Sequence, residues 1–164
     1  MHDMDLEAME HIKRVKYLYS RSLDTCNREG LTRCFTEDAR IDYRGGTYRF
    51  EMQGRDEIVD TLVASFHEEF LGSHTVHMPV IDVDGDTATG LWTLLDYALN
   101  FREDNKTTVG ASHYRDTYVR GADGDWRISV SEYERVYERV WHEPEPHVTA
   151  HMLKDLHQKR SAAS

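Results

Sequence analysis

The chain has 164 residues, enough for one ordinary domain with a buried core and too few for two. Its 30 acidic against 20 basic residues leave a formal net charge of −10, with the cations scattered among acids, so neither nucleic acid nor an anionic membrane surface finds the basic face it needs. No run approaches the roughly 18 apolar residues of a membrane span, the acidic start MHDMDLEAME is unlike a secretory leader, and two cysteines do not make a disulfide scaffold; a cytoplasmic protein with both thiols reduced is expected.

In chain order, residues 5–25 place Met9, Ile12, Val15, Tyr19, Ser22 and Leu23 at helical spacing, which predicts an amphipathic helix closed by Asn27 and Gly30. A short helix over Leu31 to Phe35 and a hairpin turning at Gly45-Gly46 follow. RDEIVDTLVASFHEEF carries Ile58, Leu62 and Phe66 on one stripe and predicts a further helix. HTVHMPVIDV and TATGLWTLLDYALNF flank an Asp84-Gly85 turn, and two more long strands, TTVGASHYRDTYVR and WRISVSEYERVYERV, are separated by GADGD. HEPEPH reads as an irregular tail, with a last short helix over Thr149 to Arg160. This order predicts an α+β domain with helices laid across a curved mixed or antiparallel sheet.

Several polar residues do not suit their faces. Alternation puts His74 with Val76, Met78 and Val80, and His77 with Thr75 and Pro79; the more apolar company marks His74 as the enclosed one, or else as a hydrogen-bonded structural histidine. Two ligands on opposite faces cannot share an ion, so no metal site is expected there, and paired tail histidines such as His147 and His151 are read as solvated. Asp96 interrupts the apolar face Ala88, Gly90, Trp92, Leu94, Ala98; it is either answered by a cation or turned to water at the strand end. Arg135 shares a side with Ser131, Tyr133 and Tyr137 and is a counter-charge for a neighbouring carboxylate or a solvated cation. Asp24 follows Tyr19 by five positions, about 140° round an ideal helix, which leaves it exposed or capping the last turn unless the helix ends near Leu23. His113 sits with Val109 and Ala111 on a mostly apolar side. No nucleophile-elbow, phosphate-loop, C-x-x-C or dinucleotide signature occurs.

Taken together, Y-x-x-x-x-D at Tyr19 and Asp24, H-x-x-x-x-P-x-I-x-V-D-G-D-T-A-T-G from His74, and a final strand opening W-R-I resemble the SnoaL-like branch of the nuclear transport factor 2 superfamily. The likeness runs from about Leu6 to Val140 and is nearest to the bile-acid 7-alpha-dehydratases, with scytalone dehydratase more distant. It implies a cone-shaped α+β barrel with a cystatin-like fold, in one domain over 1–164 with its core at about 6–140 and a tail at 141–164. It also implies a cofactor-free lyase removing water from a hydrophobic, hydroxylated carbonyl compound, steroid-like or polycyclic. The family's catalytic set falls on Tyr19, Asp24, His74, Asp96 and Arg135, with Tyr43, Trp92, Leu94 and His113 expected against substrate. Tyr19 is expected to donate to the carbonyl or leaving oxygen. The resemblance further implies a homodimer or homotrimer. A ketosteroid-type isomerase or dehydrochlorinase in the same pocket, and a binding module without turnover, are the alternatives.

Overall fold

Helix α1 (Leu6–Asp24) starts where the Asp5 carboxylate accepts the Ala8 N–H at 3.0 Å, and it stops where Thr25 turns its own N–H and hydroxyl back to the Arg21 carbonyl. The structure, a computed structural model, describes residues 4–162; residues 1–3 and 163–164 of the expected domain lie outside the described residues. Asn27 caps helix α2 (Arg28–Cys34) by accepting the Gly30 N–H, so this helix begins a turn earlier than expected and Phe35 already belongs to strand β1 (Phe35–Arg44). Strand β2 (Arg49–Gln53) returns antiparallel after a turn closed by the Gly45 N–H and the Tyr48 carbonyl, 2.9 Å apart. Helix α3 (Arg55–Ser65) stops short of the predicted Phe70, because the chain breaks out at Phe66 and folds that ring edge-on against Phe70.

Four long strands follow: β3 (Phe70–Asp84), β4 (Thr87–Asn100), β5 (Lys106–Arg120) and β6 (Trp126–His142). Helix α4 (Met152–Ala162) comes after the proline-containing tail. The six strands make one curved mixed sheet in the order β2-β1-β6-β5-β4-β3, with β1 parallel to β6 and every other pair antiparallel. The α+β architecture is the expected one, and helices α1 and α3 pack against the sheet.

Of the register shifts in the sheet, one in β3 and one in β6 correct the facing expected from strict alternation. In β3 the pairs His77–Thr93 and Val80–Leu91 leave Met78 and Pro79 opposite one residue, with Met78 in left-handed backbone at φ 50°. Before the bulge His74 and Val76 face inward; beyond it Ile81 and Val83 do, while Met78 and Val80 are 68% and 57% exposed on the other side. In β6 the pairs Ala111–Tyr137 and Ser112–Arg135 bulge at Val136, which throws Tyr137 outward and turns Glu138 to the side of Arg135.

The apolar stripe of α1 contains Ala8, Ile12, Tyr19 and Leu23, and in its middle stands a fully buried lysine, Lys16. Its ammonium lies 2.8 Å from Asp116 Oδ2 on β5, an ion pair rather than an aligned hydrogen bond, and 3.3 Å from the centre of the Tyr114 ring. Asp116 also accepts the hydroxyls of Ser131 at 2.6 Å and Tyr118 at 2.8 Å. Burial pulls the Lys16 pKa down, and the Asp116 carboxylate opposes that shift. The Asp116→Ala substitution leaves this cation uncompensated and is expected to lower unfolding free energy by about 3–5 kcal/mol, whereas a Lys16→Met, Asp116→Leu double variant recovers part of the loss; urea denaturation measures both. Met78→Gly removes the left-handed strain and is expected to stabilise by about 1 kcal/mol in the same assay.

Candidate active site

Between the sheet, the C-terminal half of α1 and the end of α3 lies a cavity of about 590 Å³. Its walls are rich in tyrosine and phenylalanine, with two ionic clusters beside them.

The first cluster joins the end of α1 to the start of β3. Asp24 is the last residue of α1, and Oδ1 stands 2.6 Å from His74 Nδ1 while Oδ2 accepts the backbone N–H of the same histidine at 3.1 Å. The helical wheel alone sends Asp24 away from the cavity; termination of the helix at this residue frees its side chain to turn back. A carboxylate accepts only, so Nδ1 carries a proton, and in the neutral imidazole Nε2 is the nitrogen with the lone pair. Phe66 packs against the imidazole with ring centres 5.6 Å apart.

The second cluster spans three strands. Arg135 on β6 reaches across β5 to Asp96 on β4, with Nη2 donating to Oδ2 at 2.9 Å and Nη1 donating to Oδ1. Nη1 also reaches Ser112 Oγ at 3.2 Å, Nε reaches Glu138 Oε2 at 3.0 Å, and Nη2 reaches the Tyr48 hydroxyl at 3.2 Å. Burial opposes the guanidinium charge, but the Asp96 carboxylate together with Tyr48 and Tyr133 outweighs it and the Arg135 pKa goes up. The lane across β5 exists because the residue paired with Asp96 is Gly110: a Cβ there would stand 2.6 Å from Arg135 Nη1 and 2.9 Å from the Tyr137 carbonyl. Glu138 in turn accepts the Gly46 N–H and the Thr47 hydroxyl, tying the β1–β2 turn to the same cluster.

Tyrosines fill the wall between the clusters. The Tyr19 and Tyr43 hydroxyls are 2.8 Å apart, Tyr43 donates to Ser131 Oγ at 3.2 Å, and the Tyr48 and Tyr133 hydroxyls are hydrogen-bonded to each other. Burial pushes the pKa of Tyr19, Tyr43, Tyr48 and Tyr133 up, so each stays a neutral phenol.

Of the residues expected as catalytic, Tyr19, His74, Asp96 and Arg135 line one space, and Asp24 stands behind His74 without lining it. Of those expected against substrate, Tyr43 and Leu94 line the cavity. Trp92 does not: it lies two residues before Leu94 on β4, where α1 covers the sheet, its ring edge-on to Tyr17 and its Nε1 donating to the Tyr118 hydroxyl at 3.1 Å. His113 does not either, since Ser112 and Tyr114 take the inward positions and leave it on the opposite face, in a shallow groove with Met78, Val80 and Leu91. Sequence reasoning missed Tyr48 and Glu138; a tyrosine just after a Gly-Gly turn and a second acid three residues past the arginine were the available signals.

A family model described as the SnoaL-like domain matches residues 4–132. The chain belongs to the SnoaL-like family. Among solved structures, this SnoaL-like chain is similar to a protein of Novosphingobium aromaticivorans DSM 12444 provisionally described as a scytalone dehydratase, at 27% identity and TM-score 0.72 over 87% of this chain and 93% of that one. An NTF2-like protein with a cystatin-like fold from Novosphingobium aromaticivorans (21% identity, TM-score 0.64, 80% and 83% covered) and LinA (18%, 0.68, 86% and 96%) share the fold. No curated protein matches the chain at a significant level. In this SnoaL-like protein Gly110→Ala is expected to push the guanidinium off Asp96 and to lower stability by about 1–3 kcal/mol, read as an earlier urea midpoint.

Proposed function

We propose that the protein is a cofactor-independent lyase that eliminates water from an uncharged hydroxylated carbonyl compound. The observation that carries this reading is the Asp24 clamp on His74, which holds the imidazole at two points and leaves Nε2 as the basic nitrogen at the cavity. His74 takes the proton next to the carbonyl, and Asp24 stabilises the imidazolium that results. The electron pair of the broken C–H bond passes through the enolate into a new C=C bond as the C–O bond breaks. The imidazolium returns its proton to the departing hydroxyl, which leaves as water. Hydroxyl donors on the tyrosine wall are placed to stabilise the oxyanion of the enolate.

The charge inventory supports a neutral substrate. Asp96 and Glu138 share Arg135, Lys106 is taken by Glu103, and Asp24 faces an imidazole, so an anionic substrate would meet an excess of negative charge. The aromatic walls and the volume of about 590 Å³ suit a polycyclic body, in keeping with the sequence likeness to the bile-acid 7-alpha-dehydratases. Asp96 and Arg135 would orient substrate or hold the wall rigid. The row of exposed apolar side chains on the outer sheet face, Leu91, Leu95, Val136 and Tyr137 among them, supports a homodimer or homotrimer joined there.

Isomerisation or loss of hydrogen chloride would use the same base, and product mass separates them: elimination of water gives a product lighter by one water, isomerisation leaves the mass unchanged, and a binding module returns its ligand intact. The His74→Ala variant is expected to stay folded and to lose about two to four orders of magnitude in kcat. Undiminished turnover by that variant would remove the assignment of the base.

A further inference from the structure

Four of the five tyrosines that line the cavity form two hydrogen-bonded pairs, Tyr19 with Tyr43 and Tyr48 with Tyr133; the first leads through Ser131 to the buried Asp116 carboxylate and the second meets the Arg135 guanidinium. Counting protons along each chain assigns directions that heavy-atom distances alone leave open.

The first chain ends on groups that can only donate. The Trp92 indole N–H stands 3.1 Å from the Tyr118 oxygen, which must accept it, so the Tyr118 proton goes to Asp116 Oδ2 at 2.8 Å. The Lys16 ammonium meets the same oxygen, and Asp116 is left as a pure acceptor. The Ser131 hydroxyl, 2.6 Å from Oδ1, therefore donates to it, and the Ser131 lone pair takes the Tyr43 proton at 3.2 Å. The Tyr43 oxygen can then only accept across its 2.8 Å contact, and the proton it accepts is that of Tyr19. No hydroxyl proton of this pair is left for the cavity. Tyr114 also interacts with the Tyr19 hydroxyl, but its single proton can occupy only one of the two lone pairs on that oxygen.

The second chain has the opposite count. The Arg135 guanidinium only donates, and its Nη2 is 3.2 Å from the Tyr48 oxygen. Tyr48 and Tyr133 have two protons and share one hydrogen bond, so one proton remains whichever way that bond runs.

We infer that the cavity is polarised, with Tyr19 presenting an acceptor and the Tyr48–Tyr133 pair presenting a donor, and that Ser131 and Asp116 are the positioning residues that impose this polarity from behind the wall. The inference rests on the cavity being the ligand site and deepens the reading above. The substrate class it names carries a hydroxyl whose proton goes to Tyr19 and, across the cavity, a carbonyl oxygen that takes the proton of the Tyr48–Tyr133 pair. Tyr19 then holds the hydroxyl that is to leave, which reverses the donor role expected of it from sequence.

Ser131 is buried behind the wall and does not line the cavity, so Ser131→Ala changes the polarity without reshaping the site. Without its acceptor, Tyr43 turns its proton to Tyr19, and the Tyr19 proton is released into the cavity. The probes are indole, which only donates, and 1-indanone, which only accepts, two bicyclic molecules of similar size whose Kd is measured by calorimetric titration. Ser131→Ala is expected to weaken indole about fivefold to tenfold and to leave 1-indanone unchanged or tighter. Tyr43→Phe, which breaks the chain on the cavity side, is expected to move the ratio the same way and serves if Ser131→Ala fails to fold by circular dichroism. Tyr19→Phe is expected to weaken indole alone. Equal changes for both probes in the folded variants, or indole binding indifferent to Tyr19→Phe, would overturn the assignment. The readout is binding of inert probes, so a protein that eliminates no water would still give it.

Discussion

The position of α1 depends on an ion pair that has no access to water. Lys16 and Asp116 are both fully enclosed, and two charges taken out of solvent are tolerable only where the geometry answers them closely. Here the lysine is met by a carboxylate and an aromatic face, and the carboxylate by two hydroxyls. Few other placements of the helix would satisfy all of these groups at once. Eight residues further along, the same helix delivers Asp24 to His74, so the acid-imidazole contact inherits its position from the buried pair.

Local breaks in regularity do the rest. Termination of α1 at Asp24 turns an outward carboxylate inward. The bulge at Val136 brings Glu138 beside Arg135, and a missing side chain at Gly110 opens the path by which the arginine crosses a strand. Gly45 plays a similar part, since a Cβ there would lie 2.4 Å from the Tyr48 ring that reaches Arg135. The site is rigid because regular strands hold it and specific because irregular points aim its side chains.

The fold class was legible because helical and strand periodicities change cleanly along the chain and Asp84-Gly85 marks its hairpin. His74 was legible because it lies before the β3 bulge, where alternation still holds; Met78 and Val80 were misplaced because they lie within or beyond it. Tyr137 was misplaced for the same reason in β6. Asp96 and Arg135 each stood out as a charge on an apolar face, but nothing in the spacing shows that a glycine between them lets them meet. Lys16 was within reach: it follows Ile12 by four and precedes Tyr19 by three, and Asp116 sits between Tyr114 and Tyr118 on an inward face. A lysine on a helix is ordinarily taken for solvent-facing, and that habit hid the pair.

The β3 bulge also bears on how copies of the chain can meet. Strand β3 ends the sheet on one side and would offer an unpaired ladder to a neighbour, but Pro79 has no N–H to give and the left-handed turn at Met78 twists the rim out of line. At the other side, β2 runs for only five residues. Edge-to-edge growth of the sheet from molecule to molecule is opposed at both margins.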